Sequence, residues 1–247
     1  MSIRIKLVQF LINFNENLIF YPRLKRYYSK ALQNLNPLIM DVGVNKGQTI
    51  DFFLKIVSEA QVIGFEPNID LFDFLKLKYK KNERIQLYQS GISSQSGKLI
   101  FKQNIMDETS TFETVNPDSK YLKSKAKVLG VKNVEDLIVK HTEIDVIRLV
   151  DFINEKDIKH INVLKIDTEG HEYDCLLGLF QKQLNCRIDY IQLESHNDDM
   201  YNRKAVNVIE DLLRQNDFIL DAKIKHGFGG IDELIYKNTS LFKEFPN

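Results

Sequence analysis

The chain has 247 residues, of which 43% are hydrophobic and 28% charged, with 34 Lys and Arg balanced by 34 Asp and Glu. Ordinary composition of this kind excludes a disordered chain, a collagen-like fibre and a disulfide scaffold. A net charge of zero argues against a dedicated duplex nucleic-acid binder, because such proteins bind by neutralising phosphates.

Residues 1–36 differ from the rest. Arg4, Lys6, Arg23, Lys25, Arg26 and Lys30 face one acid, Glu16, and Phe10, Phe14, Phe20, Tyr21, Tyr27 and Tyr28 lie between them. The segment reads as a helical N-terminal extension packed on the domain. A basic, aromatic helix also suits an anionic membrane surface or a partner in a complex. Asn13, Asn15, Glu16 and Asn17 interrupt the apolar start and no small-residue cleavage site follows, so no signal peptide is expected. No stretch approaches the ~20 apolar residues of a membrane span, and the chain reads as cytoplasmic.

From residue 37 to 247 strands and helices alternate. Leu38 to Gly43 predicts a buried strand, 47–58 a helix, Gln61 to Pro67 a second strand and 69–81 a second helix. Ile85 to Ile92 predicts a third strand, with Gly97 to Phe101 beside it. Residues 103–143 read as an insertion of the lid or binding-loop kind, with a Lys-rich helix from Lys120 to Leu129. Regular alternation resumes with strands at Ile161 to Asp167 and Asp189 to Glu194, and helices at Gly170 to Lys182 and 203–215. Phe218 to Ile224 and Asp232 to Lys237 have no helix between them and predict an antiparallel hairpin at one edge. The expected fold is α/β and Rossmann-like: a mostly parallel twisted sheet with helices on both faces. Cys175 and Cys186 match no zinc spacing.

Asp41-Val42-Gly43-Val44-Asn45-Lys46-Gly47 joins the first strand to a helix, where ligands of open α/β sheets bind. The dinucleotide fingerprint and the P-loop ending are both absent. The loop suits a nucleoside ligand without a pyrophosphate, such as S-adenosylmethionine. Glu66 ends the second strand about 20 residues later, as expected for an acid accepting hydrogen bonds from ribose hydroxyls. Ser90 and Gly91, at the end of the third strand, are placed to pass the adenine. The candidate cofactor set is therefore Asp41, Gly43, Asn45, Gly47, Glu66, Ser90 and Gly91, with Asp167 below.

These motifs, together with Leu164-Lys165-Ile166-Asp167-Thr168-Glu169-Gly170-His171-Glu172 and Leu193-Glu194-Ser195-His196, resemble the FkbM family of S-adenosylmethionine-dependent methyltransferases. The resemblance runs from about residue 38 to 237 and rests on the order and spacing of four motifs. It implies a class I methyltransferase fold and O-methylation, often of sugars, polyketides or glycolipids. Gly91 departs from it, because the family commonly has Ala there. The 103–143 insertion is longer than usual, and residues 1–36 lie outside it.

Asp167, Glu169, His171, Glu194 and His196 fall at the ends of two adjacent strands, where the reaction centre should lie. Carboxylates and imidazoles suit a base that takes a hydroxyl proton. Three readings stay open here: acid/base catalysis or substrate positioning, a divalent metal site on Asp167 and Glu194, or a structural network. The metal-free reading is carried forward, because magnesium prefers oxygen ligands alone. Glu172 and Asp174 read as solvent-facing, and His226 as structural, with a place on the pocket wall as its alternative.

Overall fold

The computed structural model describes residues 16–106, 109–196, 200–201, 206–226 and 231–242. Its elements in chain order are α1 (Tyr21–Ala31), β1 (Leu38–Val42), α2 (Gln48–Ile56), β2 (Gln61–Phe65), α3 (Ile69–Tyr79), β3 (Ile85–Tyr88), β4 (Gly91–Ile92) and β5 (Gly97–Asn104). Then follow α4 (Lys120–Leu129), β6 (Ile138–Ile147), α5 (Leu149–Glu155), β7 (His160–Ile166), α6 (Glu172–Phe180), β8 (Arg187–His196), α7 (Val206–Gln215), β9 (Phe218–Lys225) and β10 (Ile231–Asn238).

The main sheet has the order β3-β2-β1-β7-β8-β10-β9. The first five run parallel, and β10 lies antiparallel between β8 and β9. Ile39, Met40, Val163 and Leu164 are fully buried, as expected where helices cover both faces of a parallel strand and apolar residues run without alternation. The chain leaves β1 toward β2 on one side and returns as β7 on the other. That reversal opens a crevice beyond the carboxyl ends of β1 and β7.

The sequence-predicted third strand breaks in two. β3 stays beside β2, whereas β4 turns into a second sheet of order β4-β6-β5. There β5 pairs antiparallel with β6 and not with β3. The expected 103–143 insertion is correspondingly shorter, because its two ends belong to this hairpin. What remains between them carries α4 on the predicted residues, capped by Ser119 Oγ accepting from the Leu122 N–H at 3.1 Å.

The described part of the N-terminal extension is built into the core. Leu24 and Tyr28 of α1 pack with Ile39, Phe53, Val62 and Tyr190, while Arg23, Lys25, Arg26 and Lys30 stay exposed on the opposite face. Residues 1–15 lie outside the described residues. Among the described residues no helix is long and apolar enough to cross a membrane.

Candidate active site

The β1–α2 loop turns through three left-handed positions, Gly43 (φ 88°), Asn45 (φ 52°) and Gly47 (φ 84°). A Cβ on Gly43 would lie 1.9 Å from the Asp167 backbone oxygen. The loops after β1 and β7 therefore touch backbone to backbone, and the Asp167 N–H donates to the Val42 carbonyl at 3.0 Å. Only glycine permits both that φ and that approach. Glu66, 4% exposed, locks the loop from the β2 side. Its Oε2 accepts from the Asn45 N–H at 2.7 Å and its Oε1 from the Asn68 N–H at 2.9 Å. Gly43, Asn45, Glu66, Ser90 and Gly91 line one continuous cavity. The Ser90 hydroxyl donates into the protein, within reach of the Gly91 and Asp145 carbonyls.

The same cavity runs on to Asp167, Glu169 and Glu194. An oxygen from each of these three lies within 4.8 Å of the others. Below them, Lys165 is 6% exposed and donates to Asp167 Oδ2 at 2.7 Å. Burial works to lower its pKa, but the carboxylates of Asp167, Glu233 and Asp41 outweigh it and hold the ammonium charged, well above the ordinary lysine range. Glu169 sits at φ 53°, and its carboxylate accepts from the Tyr201 hydroxyl at 2.8 Å. β10 places Glu233 in register with Glu194. Two further segments line the same cavity. The insertion brings Met106, Phe112, Tyr121 and Lys125, and the extension brings Glu16, Phe20 and Tyr21.

A glycine-turned loop closing on an acid at the second strand, and a carboxylate rim where β7 and β8 end, lie along one stretch of chain. Residues 41–220 match the model of the methyltransferase FkbM domain. The chain belongs to the FkbM methyltransferase family. It is 23% identical over 220 residues to the 2-O-methyltransferase NoeI of Sinorhizobium fredii, covering 89% of this chain and 86% of that protein. It is 26% identical over 152 residues to Methyltransferase 1 of Beauveria bassiana, with 57% of each chain covered. Among solved structures it is similar to an S-adenosylmethionine-dependent methyltransferase from Aquifex aeolicus, with a TM-score of 0.48, 9% identity, and 96% of this chain and 98% of that one covered.

As a member of that family the chain is an S-adenosylmethionine-dependent methyltransferase, and most of the residues singled out in its sequence meet at the cavity. Three of them, Asp41, Gly47 and His171, do not join it as expected. Asp41 is wholly buried beneath the loop and is not on the cavity wall; neither carboxylate oxygen has a hydrogen-bond partner among the described residues. Gly47 lies off the wall and packs against Tyr79, whose hydroxyl donates within reach of its carbonyl at 3.0 Å. His171 points away from the rim. Its Nδ1 is 2.6 Å from Glu113 Oε1 and its Nε2 is 3.0 Å from Ser93 Oγ, so it ties the insertion to the second sheet. The turn through Glu169 and Gly170 (φ 100°) swings it there. His196 ends β8 opposite Ile231, and its side chain lies outside the described residues, as do residues 227–230.

Glu172 also departs from expectation. It is 2% exposed and accepts from the N–H groups of Thr168 and Gly170 at 3.1 and 3.0 Å, closing the turn it begins. Lys165, Gln192 and Glu233 are wall residues that the motifs alone do not single out. A period-two reading is the signal that finds the first two. Lys165 precedes Asp167, and Gln192 precedes Glu194, by two residues on one strand face.

Proposed function

We propose that this FkbM methyltransferase transfers a methyl group to a hydroxyl of a sugar, glycan or glycolipid intermediate, forming a methyl ether. The observation that carries the reading is the convergence of Asp167, Glu169 and Glu194 on one wall of the cavity. Three carboxylates at one rim suit an acceptor that must be oriented by hydrogen bonds and give up a proton. The printed name of the Sinorhizobium fredii relative, a 2-O-methyltransferase, supports O-methylation.

S-adenosylmethionine supplies an electrophilic methyl on a sulfonium; holding the partners and moving the proton fall to the chain. Glu66 presents a buried carboxylate on the cavity wall, a group suited to accept hydrogen bonds from the ribose hydroxyls. Gly43 and Asn45 would face the methionine end and Ser90 and Gly91 the adenine. Correct placement of oxygen against carbon can supply up to ~7–11 kcal/mol of the barrier, and a positioned base roughly 10²–10⁴-fold. Lys165 holds the Asp167 carboxylate in place and leaves the acceptor side of the rim anionic. Phe20, Tyr21, Phe112 and Tyr121 give flat apolar surfaces on the wall of the same cavity, a surface type suited to the ring faces of a sugar.

Methyl transfer from S-adenosylmethionine to a panel of mono- and oligosaccharides, with matched amines, tests this. An alkali-stable methyl ether on a saccharide is expected. Transfer to amines alone, or to no saccharide, overturns it.

A further inference from the structure

One titratable group on the cavity wall has no part in the chemistry above. His226 follows β9, with its side chain 9% exposed. The Phe20 ring stacks on the imidazole at 3.9 Å between centroids and 21° between planes. Nε2 lies 3.6 Å from Glu233 Oε1, and Nδ1 lies 3.9 Å from Glu16 Oε1. Among the described residues Nε2 has no hydrogen-bond partner. Glu233 is 2% exposed, and its other oxygen, Oε2, is taken by the Gln192 amide at 2.9 Å. A ligand atom from each of Glu194, His226 and Glu233 falls within 4.8 Å of the other two.

A separation of 3.6 Å is beyond the range of a direct hydrogen bond. It is the separation of two ligands that share a cation. Each about 2.1 Å from a common ion, they would subtend roughly 120° there. An imidazole nitrogen buried without a donor or acceptor is costly unless something fills its lone pair.

We propose that Glu194, His226 and Glu233 form a binding site for a divalent first-row cation at the acceptor end of the cavity. One imidazole with two carboxylates suits Mn²⁺, Fe²⁺ or Zn²⁺ better than Mg²⁺. This differs from a magnesium site on Asp167 and Glu194, because Asp167 already has the Lys165 ammonium at 2.7 Å. Glu16 stands on the Nδ1 side, where a carboxylate orients a metal-bound histidine. All three ligands line the cavity, so open coordination positions face the acceptor. A hydroxyl bound there would lose its proton more readily. That use in catalysis rests on the hydroxyl-acceptor reading; the binding site itself does not.

The test is binding without turnover. The full-length protein, stripped with chelator, is titrated with Mn²⁺ followed by electron paramagnetic resonance and with Zn²⁺ by calorimetry. One equivalent of either ion is expected, with affinity falling about tenfold or more in both His226→Gln and Glu233→Gln. No binding of either ion, or an affinity unmoved by either substitution, overturns the site. Should a wall substitution unfold the protein, Glu16→Gln on the extension replaces it. The same fall of about tenfold is expected there, and an unmoved affinity counts against the site. Failure of these titrations leaves the saccharide panel to be judged by itself.

Discussion

The Tyr28 hydroxyl donates to Gln192 Oε1 at 2.7 Å, joining the N-terminal helix to the centre of β8. Tyr28 is fully buried, and Gln192, 1% exposed, passes the contact on by donating from its amide to Glu233. One chain of hydrogen bonds thus runs from the extension to the wall of the cavity. Tyr28→Phe leaves Gln192 Oε1 without its donor inside the protein, at a cost of about 1–3 kcal/mol. Tyr28→Ala adds a cavity and should cost about 3–5 kcal/mol. Urea unfolding of both variants checks the order. Equal stability in Tyr28→Phe and the unaltered protein would show that this contact is incidental.

Asp41 makes stability depend on pH. Burial, reinforced by the charges of Asp167 and Glu233 and opposed by Lys165, raises its pKa from an ordinary 3.8 to about 7. Between those values the folded protein keeps a proton that the unfolded chain has released. Stability from this group therefore falls as pH rises through that window. Asp41→Asn removes the dependence. The variant should gain on the unaltered protein between pH 4 and pH 8, by on the order of 3 kcal/mol at about 1.4 kcal/mol per pKa step. Denaturant melts at the two pH values decide it, and an unchanged gap sinks the argument.

His171 bonds Ser93 and Glu113 and does not line the cavity. His171→Asn should therefore lower stability by about 1–3 kcal/mol and loosen the insertion. The acid limb of the pH–rate profile should stay where it was. A shift or loss of that limb would restore His171 as a base.

The packing around residue 91 leaves room for glycine alone. A Cβ there would meet the Phe112 ring at 2.6 Å and Val146 at 2.8 Å. Gly91→Ala should displace Phe112, which also stands over Phe101 and His171, and weaken cofactor binding more than acceptor saturation, because Gly91 lies on the part of the wall proposed for the adenine. Separate titrations with S-adenosylhomocysteine and acceptor test the split; an equal effect on both contradicts it.

The glycine loop and Glu66 were legible because turn chemistry is local. A left-handed φ, a strand end and an acid at set spacing are all written within 26 residues, Asp41 to Glu66. What crowds Gly43 was not legible: it is the Asp167 backbone, more than a hundred residues away in sequence. His171 shared a motif with Glu169 and was grouped with it, yet two positive φ angles in succession send the two side chains to opposite sides. Lys165 and Gln192 sit in otherwise apolar strands, and only the sheet sets them beside Asp41 and Glu233. Glu233 needed the β8–β10 register, which no local pattern encodes. The split of the third strand was hidden because Gly91 and Ile92 continue its apolar run while their hydrogen bonds go to β6.

Glu66 has two separable roles, and one substitution series tells them apart. Its carboxylate accepts from the backbone N–H groups of Asn45 and Asn68, which fixes the glycine loop against β2, and it lines the cavity where ribose hydroxyls would bind. Glu66→Ala removes both functions. Affinity for S-adenosylhomocysteine should fall by about 1.5–3 kcal/mol, the range for hydrogen bonds to a charged group, and the melting temperature should fall with it. Glu66→Gln keeps one oxygen as an acceptor but turns an amide N–H₂ toward the other backbone N–H. Donor would then face donor, so the loop should still lose stability. The amide can nonetheless donate to a ribose oxygen, and the affinity loss should be smaller than in Glu66→Ala. Calorimetric titration beside thermal melting resolves the two. Affinity unchanged in Glu66→Ala, with the melting temperature lowered, would confine Glu66 to holding the loop.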